Sequence, residues 1–173
     1  MTSVKRLLVV QCRGLAFFGA CFGMHLFLSD GESMEREKTA VFIGHRECEG
    51  LSPEDIMPYI ENAIKSGVNT FLNGGMGNFD EYSAVAVNML KKKYPSIKQY
   101  LIKPYSKLKC SFQNLFDEES LYAPERYIEL VGYRAAIPQR NEYMILNSSV
   151  AICYVKHRSS GSYKTYQLAK KMA

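Results

Sequence analysis

The chain is predicted to be an α/β protein with a mostly parallel sheet and helices on both of its faces. Three observations predict this. Short apolar runs recur along the chain, helical stretches with capping signals separate them, and the runs end in glycine or polar loops. Right-handed crossovers then give a Rossmann-like, doubly wound order, in which ligands bind at the carboxyl ends of the strands.

The elements follow in order from Thr39. "TAVFIG" (Thr39–Gly44) is a buried strand. "SPEDIMPYIENAIKSG" is a helix, with Ser52 as N-cap, Pro53 at the first helical position, Glu54 and Asp55 at the positive end of the dipole, and Gly67 closing it. "VNTFLNGG" is the second strand, and "NFDEYSAVAVNMLKKKYP" a helix ended by Pro95. "IKQYLIKP" is the third strand. Residues 105–123 read as a loop with a short helix, and "RYIELVG" as a fourth strand. "AAIPQRNEYMILNSS" is helical after Pro138, "VAICYV" (Val150–Val155) is a strand, and "SYKTYQLAKKMA" is the last helix.

Composition sets the class. The 173 residues suit one domain with a sizeable core, with 47% apolar and 23% charged residues. The net charge of +5 is mild, and the run "LKKKYP" reads as a solvated helix end, so nucleic acid is not expected as a partner. The five cysteines are scattered without a CxxC pair, which argues against a zinc site or a disulfide framework. No metal and no cofactor is predicted, and free thiols point to a reducing, cytoplasmic setting.

The first 33 residues differ from the rest. A basic start leads into the apolar stretch Gly14–Ser29, shorter than the ~20 residues of a membrane span. Three readings stand: an extension upstream of a natural start at Met34, a signal peptide, or an anchor. The domain itself is expected at 34–173, and contact with a membrane only if residues 1–33 are a true anchor.

Three loops should converge on the ligand edge. Gly44, His45 and Arg46 follow the first strand. "NGGMGNFDE" follows the second, bringing Gly74, Gly75, Gly77, Asn78, Asp80 and Glu81. "KHRSSGSYKT" follows the last, bringing Arg158, Ser160, Gly161 and Ser162. Two glycine/serine loops that feed helix N-termini, with Arg46, Arg158 and Arg140 beside them, suit a phosphate-bearing ligand. His157 reads as a surface loop residue. The glycines match neither GxGxxG nor GxxxxGK[ST], so a standard NAD enzyme and a P-loop NTPase are disfavoured.

In "VFIGHR", "GGMGNFDEYSAVAV", "LKKKYPSIKQYLIKPY", "RNEYMILNSSVAICYV" and "SSGSYKTYQLAKK" the chain resembles the SLOG superfamily of DprA-like and Lonely Guy-like proteins. The nearest branch is the bacterial domain of unknown function that includes YpsA-like and YoqJ-like proteins. The resemblance runs from Thr39 to the C-terminus. It implies a cytosolic, often self-associating domain that binds a nucleotide or nucleotide-sugar, with no assigned reaction. Family domains usually close with another strand after the last helix, so that edge strand is expected to be absent here.

Lonely Guy enzymes cleave nucleoside 5′-monophosphates with an RxxxM arginine and a glutamate ending PGGxGTxxE. Arg140 and Met144, with Asn141 between them, fit the first element. "SSGSYKTYQ" carries no glutamate where the second should fall, and Glu81 of "GGMGNFDE" copies its letters from a different place. Three functions therefore stay open. The chain binds a nucleotide-derived ligand, hydrolyses nucleoside monophosphates with Glu81 and Arg140, or binds single-stranded DNA as DprA does.

Overall fold

A computed structural model describes residues 7–12 and 34–173. Six strands form one sheet: β1 (Leu7–Gln11), β2 (Thr39–Gly44), β3 (Thr70–Asn73), β4 (Lys98–Lys103), β5 (Glu118–Leu121) and β6 (Val150–Tyr154). Their order is β1-β6-β2-β3-β4-β5. All neighbours are parallel except β1, which runs antiparallel to β6. Among the described residues five α-helices join them: α1 (Pro53–Lys65), α2 (Asn78–Lys91), α3 (Glu125–Val131), α4 (Tyr133–Leu146) and α5 (Gly161–Lys171).

Alternation within the strands divides the core into two layers. Ala40 and Phe42 of β2, with Phe71 and Ile152, pack on Ile56, Ile60, Ala86 and Val87 of α1 and α2. Val41 and Ile43, with Leu72, Ile102 and Cys153, face Ile128 of α3, Met144 and Ile145 of α4, and Ala169 of α5. The central strands are buried on both faces, as a parallel sheet requires.

Ser52 and Pro53 begin α1 as expected. The Ser52 N–H donates to the Asp55 carboxylate at 2.9 Å, which fixes the first turn.

Two elements depart from the sequence reading. "RYIELVG" is helix α3, not a strand. Pro124 caps it, and Gly132 ends it at φ 81°. A buried strand there would have to hide Arg126 and Glu129. The helix instead buries Ile128 and leaves Leu130 85% exposed. The strand beside β4 is β5, inside the stretch read as loop. Glu119 is exposed and its other residues are only half-buried, so it lacks the continuous apolar run that marks an interior strand. Helix α4 also begins earlier than expected, with Pro138 inside it.

The edge beside β6 is occupied by β1, from the upstream segment. Val10 and Cys12 enter the core, and the Cys12 carbonyl accepts a hydrogen bond from the Arg36 guanidinium at 2.7 Å. The apolar stretch Gly14–Ser29 lies outside the described residues. Among the described residues no helix is long and apolar enough to cross a membrane.

Candidate functional site

Parallel strands put their carboxyl ends on one edge, and a cavity of about 600 Å³ opens there. It spans the ends of β6, β2 and β3 and is walled by α4. Gly44, His45, Arg46, Gly74, Asp80, Arg140, Asn141, Ser160, Gly161 and Ser162 line it. Gly75, Gly77, Asn78, Glu81 and Arg158 are not among the lining residues. Glu47, Glu49, Met76, Lys156, His157 and Thr165 also reach the cavity.

The glycine loop after β3 is closed by its own hydrogen bonds. The Gly75 N–H donates to Asn73 Oδ1 at 2.9 Å, and the Asn73 amide donates to the Asp80 carbonyl at 2.8 Å. The Met76 N–H donates to Asp80 Oδ2 at 2.8 Å. The Asn78 N–H donates to the Arg46 carbonyl, also at 2.8 Å. Gly77 adopts φ 106°, and a Cβ built on it would lie 2.5 Å from the Arg46 Cα. The glycines therefore serve a tight turn and a close approach of two loops. The N–H groups of Gly75, Met76 and Asn78 thus already have acceptors.

Arg140 organises this turn. Its Nη1 donates to the carbonyls of Gly74 and Ile102, both at 2.7 Å, and its Nε to Asn141 Oδ1 at 2.9 Å. Nη2 has the Met76 thioether at 3.6 Å, a weak acceptor. Burial lowers the Arg140 pKa to about 10, partly offset by Asp80. The guanidinium thus ties the end of β3 to β4 through Nη1, while Nη2 has only the weak thioether acceptor.

Asp80 is buried at the first turn of α2. Desolvation raises its pKa to about 6, against the lowering effects of the Met76 hydrogen bond and Arg140. Oδ2 holds the Met76 N–H. The other oxygen has no hydrogen-bond partner among the described residues, yet Asp80 lines the cavity.

His45 sits at the end of β2, 8% exposed. Its Nε2 accepts from the Lys156 N–H at 2.7 Å and the His157 N–H at 3.3 Å. An Nε2 that accepts leaves the proton on Nδ1, so the ring is neutral. Burial first, then His157 and Lys156, lowers its pKa. His45 is thereby the peg that fixes the β6–α5 loop.

That loop is built differently from the glycine turn. The Ser160 hydroxyl accepts from the Tyr163 N–H at 3.1 Å and donates to the His157 carbonyl at 2.8 Å. The Ser162 hydroxyl donates to the Gly44 carbonyl. Asn141 donates to Thr165 at 3.2 Å, and Thr165 to the Gly161 carbonyl at 3.0 Å, so α4 and α5 are stitched together. Among the described residues nothing accepts from the Gly161 or Ser162 N–H, which are orphan donors of the α5 first turn. Lys156, Arg158 and Lys164 stand exposed around them.

Sequence reasoning missed Lys156; His157 is an exposed loop residue as expected, and it also lines the cavity. The ring of His157 lies 5.4 Å from that of His45, against the cavity. The signal was available: both residues immediately follow the last strand, where a parallel sheet places its ligand edge.

No family model matches the chain. The chain is 27% identical over 136 residues, 68% of its length and 80% of the other, to the uncharacterised SPbeta prophage-derived protein YoqJ of Bacillus subtilis (strain 168). Among solved structures it resembles DNA processing protein A from Helicobacter pylori, described by its single-stranded DNA binding mode. The TM-score is 0.52 at 17% identity, over 80% of this chain and 63% of that one. Both likenesses fit a SLOG/DprA-like family. The second corrects the expectation that nucleic acid is not a partner: a protein of similar fold binds single-stranded DNA.

Proposed function

We propose that this chain binds single-stranded nucleic acid at the carboxyl edge of its sheet, with one nucleotide unit held in the cavity. The observation that carries the reading is the β6–α5 loop. It joins two open main-chain donors at a helix N-terminus to Lys156, Arg158 and Lys164, on the rim of a cavity of about 600 Å³. A helix N-terminus favours a phosphate, and exposed cations track a backbone. The likeness to a DNA-binding protein of this fold supports the choice of a strand over a free metabolite.

A second reading is a free nucleoside phosphate in the same cavity. The deep, polar floor formed by His45, Asp80 and Arg140 favours it, since a backbone alone would not need one. A nucleotide hydrolase that uses Glu81 draws no support from this geometry, because Glu81 does not line the cavity.

Titration of a labelled oligodeoxythymidine and of mononucleotides over a range of salt concentrations tests the choice. A strand engaging several cations should bind with a steep loss of affinity as salt rises, through counterion release. Mononucleotide binding with a shallow salt dependence, and no binding of the strand, would transfer the assignment to the second reading.

A further inference from the structure

The floor of the cavity carries groups that a sugar-phosphate backbone does not explain. Asp80 is 8% exposed and Arg140 3%, yet both line the cavity. One Asp80 oxygen is held by the Met76 N–H, and the other lacks a partner among the described residues. The Arg140 Nη2 has only a thioether. An acceptor-only group and a donor therefore sit side by side on the floor. They stand at the end of β3, while the start of α5 reaches the ends of β6 and β2, where the Ser162 hydroxyl holds the Gly44 carbonyl. One to two strand spacings put that separation at roughly 5–10 Å. A phosphate at Gly161 and Ser162 would thus bring the base of the same nucleotide toward Asp80.

The chemistry of base edges narrows the occupant. A carboxylate accepts only, and it can take two adjacent donors at once. Adenine and cytosine set a ring lone pair beside their amino group. Thymine and uracil flank their N–H with carbonyl oxygens. Guanine offers N1–H beside its amino group, with the O6 acceptor next to them.

We propose that the cavity selects a guanine, with its N1–H and amino group on Asp80, its O6 facing Arg140 Nη2, and its phosphate at the N-terminus of α5. The inference rests on the nucleic-acid reading above and deepens it. Arg140 is here a positioning residue for the turn as well as a contact, because its other donors hold Gly74 and Ile102.

The test uses the whole chain and a short labelled oligodeoxythymidine with a single internal position changed to guanosine, adenosine or cytidine. GMP, AMP, CMP and UMP are titrated in parallel. The guanosine oligomer and GMP should bind roughly ten- to a hundredfold more tightly than the others, the size of one lost charge-assisted bond. In Asp80→Asn that preference should disappear while the unsubstituted oligomer still binds, because the asparagine oxygen can keep the Met76 N–H. A melting curve shows that the variant is folded. Equal binding of all bases by the unaltered chain overturns the guanine proposal and leaves strand binding standing. Preference that survives in Asp80→Asn overturns the role of Asp80. Failure of every strand and nucleotide to bind overturns both readings.

Discussion

Two strand-to-helix loops of this protein look alike on paper and differ in what their atoms are free to do. The β3–α2 loop has three glycines in four residues, yet its N–H groups at Gly75, Met76 and Asn78 donate to Asn73, Asp80 and the Arg46 carbonyl. It carries an acid, Asp80, at the first turn of its helix. The β6–α5 loop has one glycine, two donors left open at its helix start, and cations around them. Glycine content does not make an anion site. What matters is whether the loop satisfies its own donors, and the side chain that does so in the first loop also repels a phosphate.

The largest effect should come from breaking the clamp that holds the closed loop. Arg140→Ala leaves the carbonyls of Gly74 and Ile102 without their buried donor. Unsatisfied buried groups cost about 1–3 kcal/mol each, so stability should fall by roughly 3 kcal/mol or more in denaturant unfolding. Arg140→Lys should recover little, because a lysine cannot reproduce the planar fork. Full recovery by lysine would show that charge alone, and not the geometry of the clamp, holds the turn.

Asp80 should reveal itself through pH. Its carboxyl is raised from 3.8 to about 6 in the folded chain, first by desolvation, and its electrostatic neighbours include Arg140, Cys48 and Cys110. Below about pH 4 the group is protonated in both the folded and the unfolded chain, and it contributes nothing. Between there and about pH 6 the unfolded chain loses the proton first, so the folded state weakens as pH rises. Above that the cost is complete, about 3 kcal/mol from two pKa units. Asp80→Asn should therefore be more stable than the unaltered chain at pH 7 and no more stable at pH 3.5. An equal gain at both would assign the effect to packing rather than to the buried charge.

The two loops can be compared by the same substitution. Gly77→Ala forces an L side chain into φ 106°, with its Cβ against the Arg46 backbone, and should cost at least about 1–2 kcal/mol. Gly161→Ala meets nothing within 4 Å and should change stability little. Equal thermal shifts in the two variants would erase the distinction between a glycine that shapes a turn and one that only begins a helix.

The layered architecture was legible because buried parallel strands such as "TAVFIG" and "VAICYV" are continuous apolar runs between capped helices. The loops that meet at the edge followed from topology, which is why Arg46, Asp80, Arg140 and Ser162 could be named together. The errors have physical causes. Strand β5, "EESL", is an edge strand with polar residues, so nothing in its pattern sets it apart from a loop. Helix α3 was misread because "RYIELVG" is short enough to fit either period. The occupied state of the glycine loop was hidden, because Asn73 and Asp80 act through hydrogen bonds that no spacing rule reports. The same holds for Arg140, whose sequence neighbours give no hint that its fork binds carbonyls of β4 and the glycine loop.

The smallest expected effect is on affinity alone. Lys156 and Arg158 are exposed, and of the two only Lys156 meets a buried group, with its Nζ 5.6 Å from the centre of the Tyr154 ring. Arg158→Ala should leave the melting temperature unchanged within error, and Lys156→Ala should lower it only slightly. Each should reduce the salt dependence of strand binding by about one counterion, close to 0.7 in the log–log slope for a single strand. The far end of α2 provides the control, since Lys91 pairs there with Asp117 at 2.7 Å, away from the ligand edge. Lys91→Ala should not change that slope. The comparison of slopes, rather than of affinities, is the sharper measurement, because affinity also falls when a variant is partly unfolded. A slope that moves equally in all three variants would mean that the strand feels only the overall charge of the chain. A slope that moves in Lys156→Ala and Arg158→Ala alone would place its backbone along the β6–α5 loop.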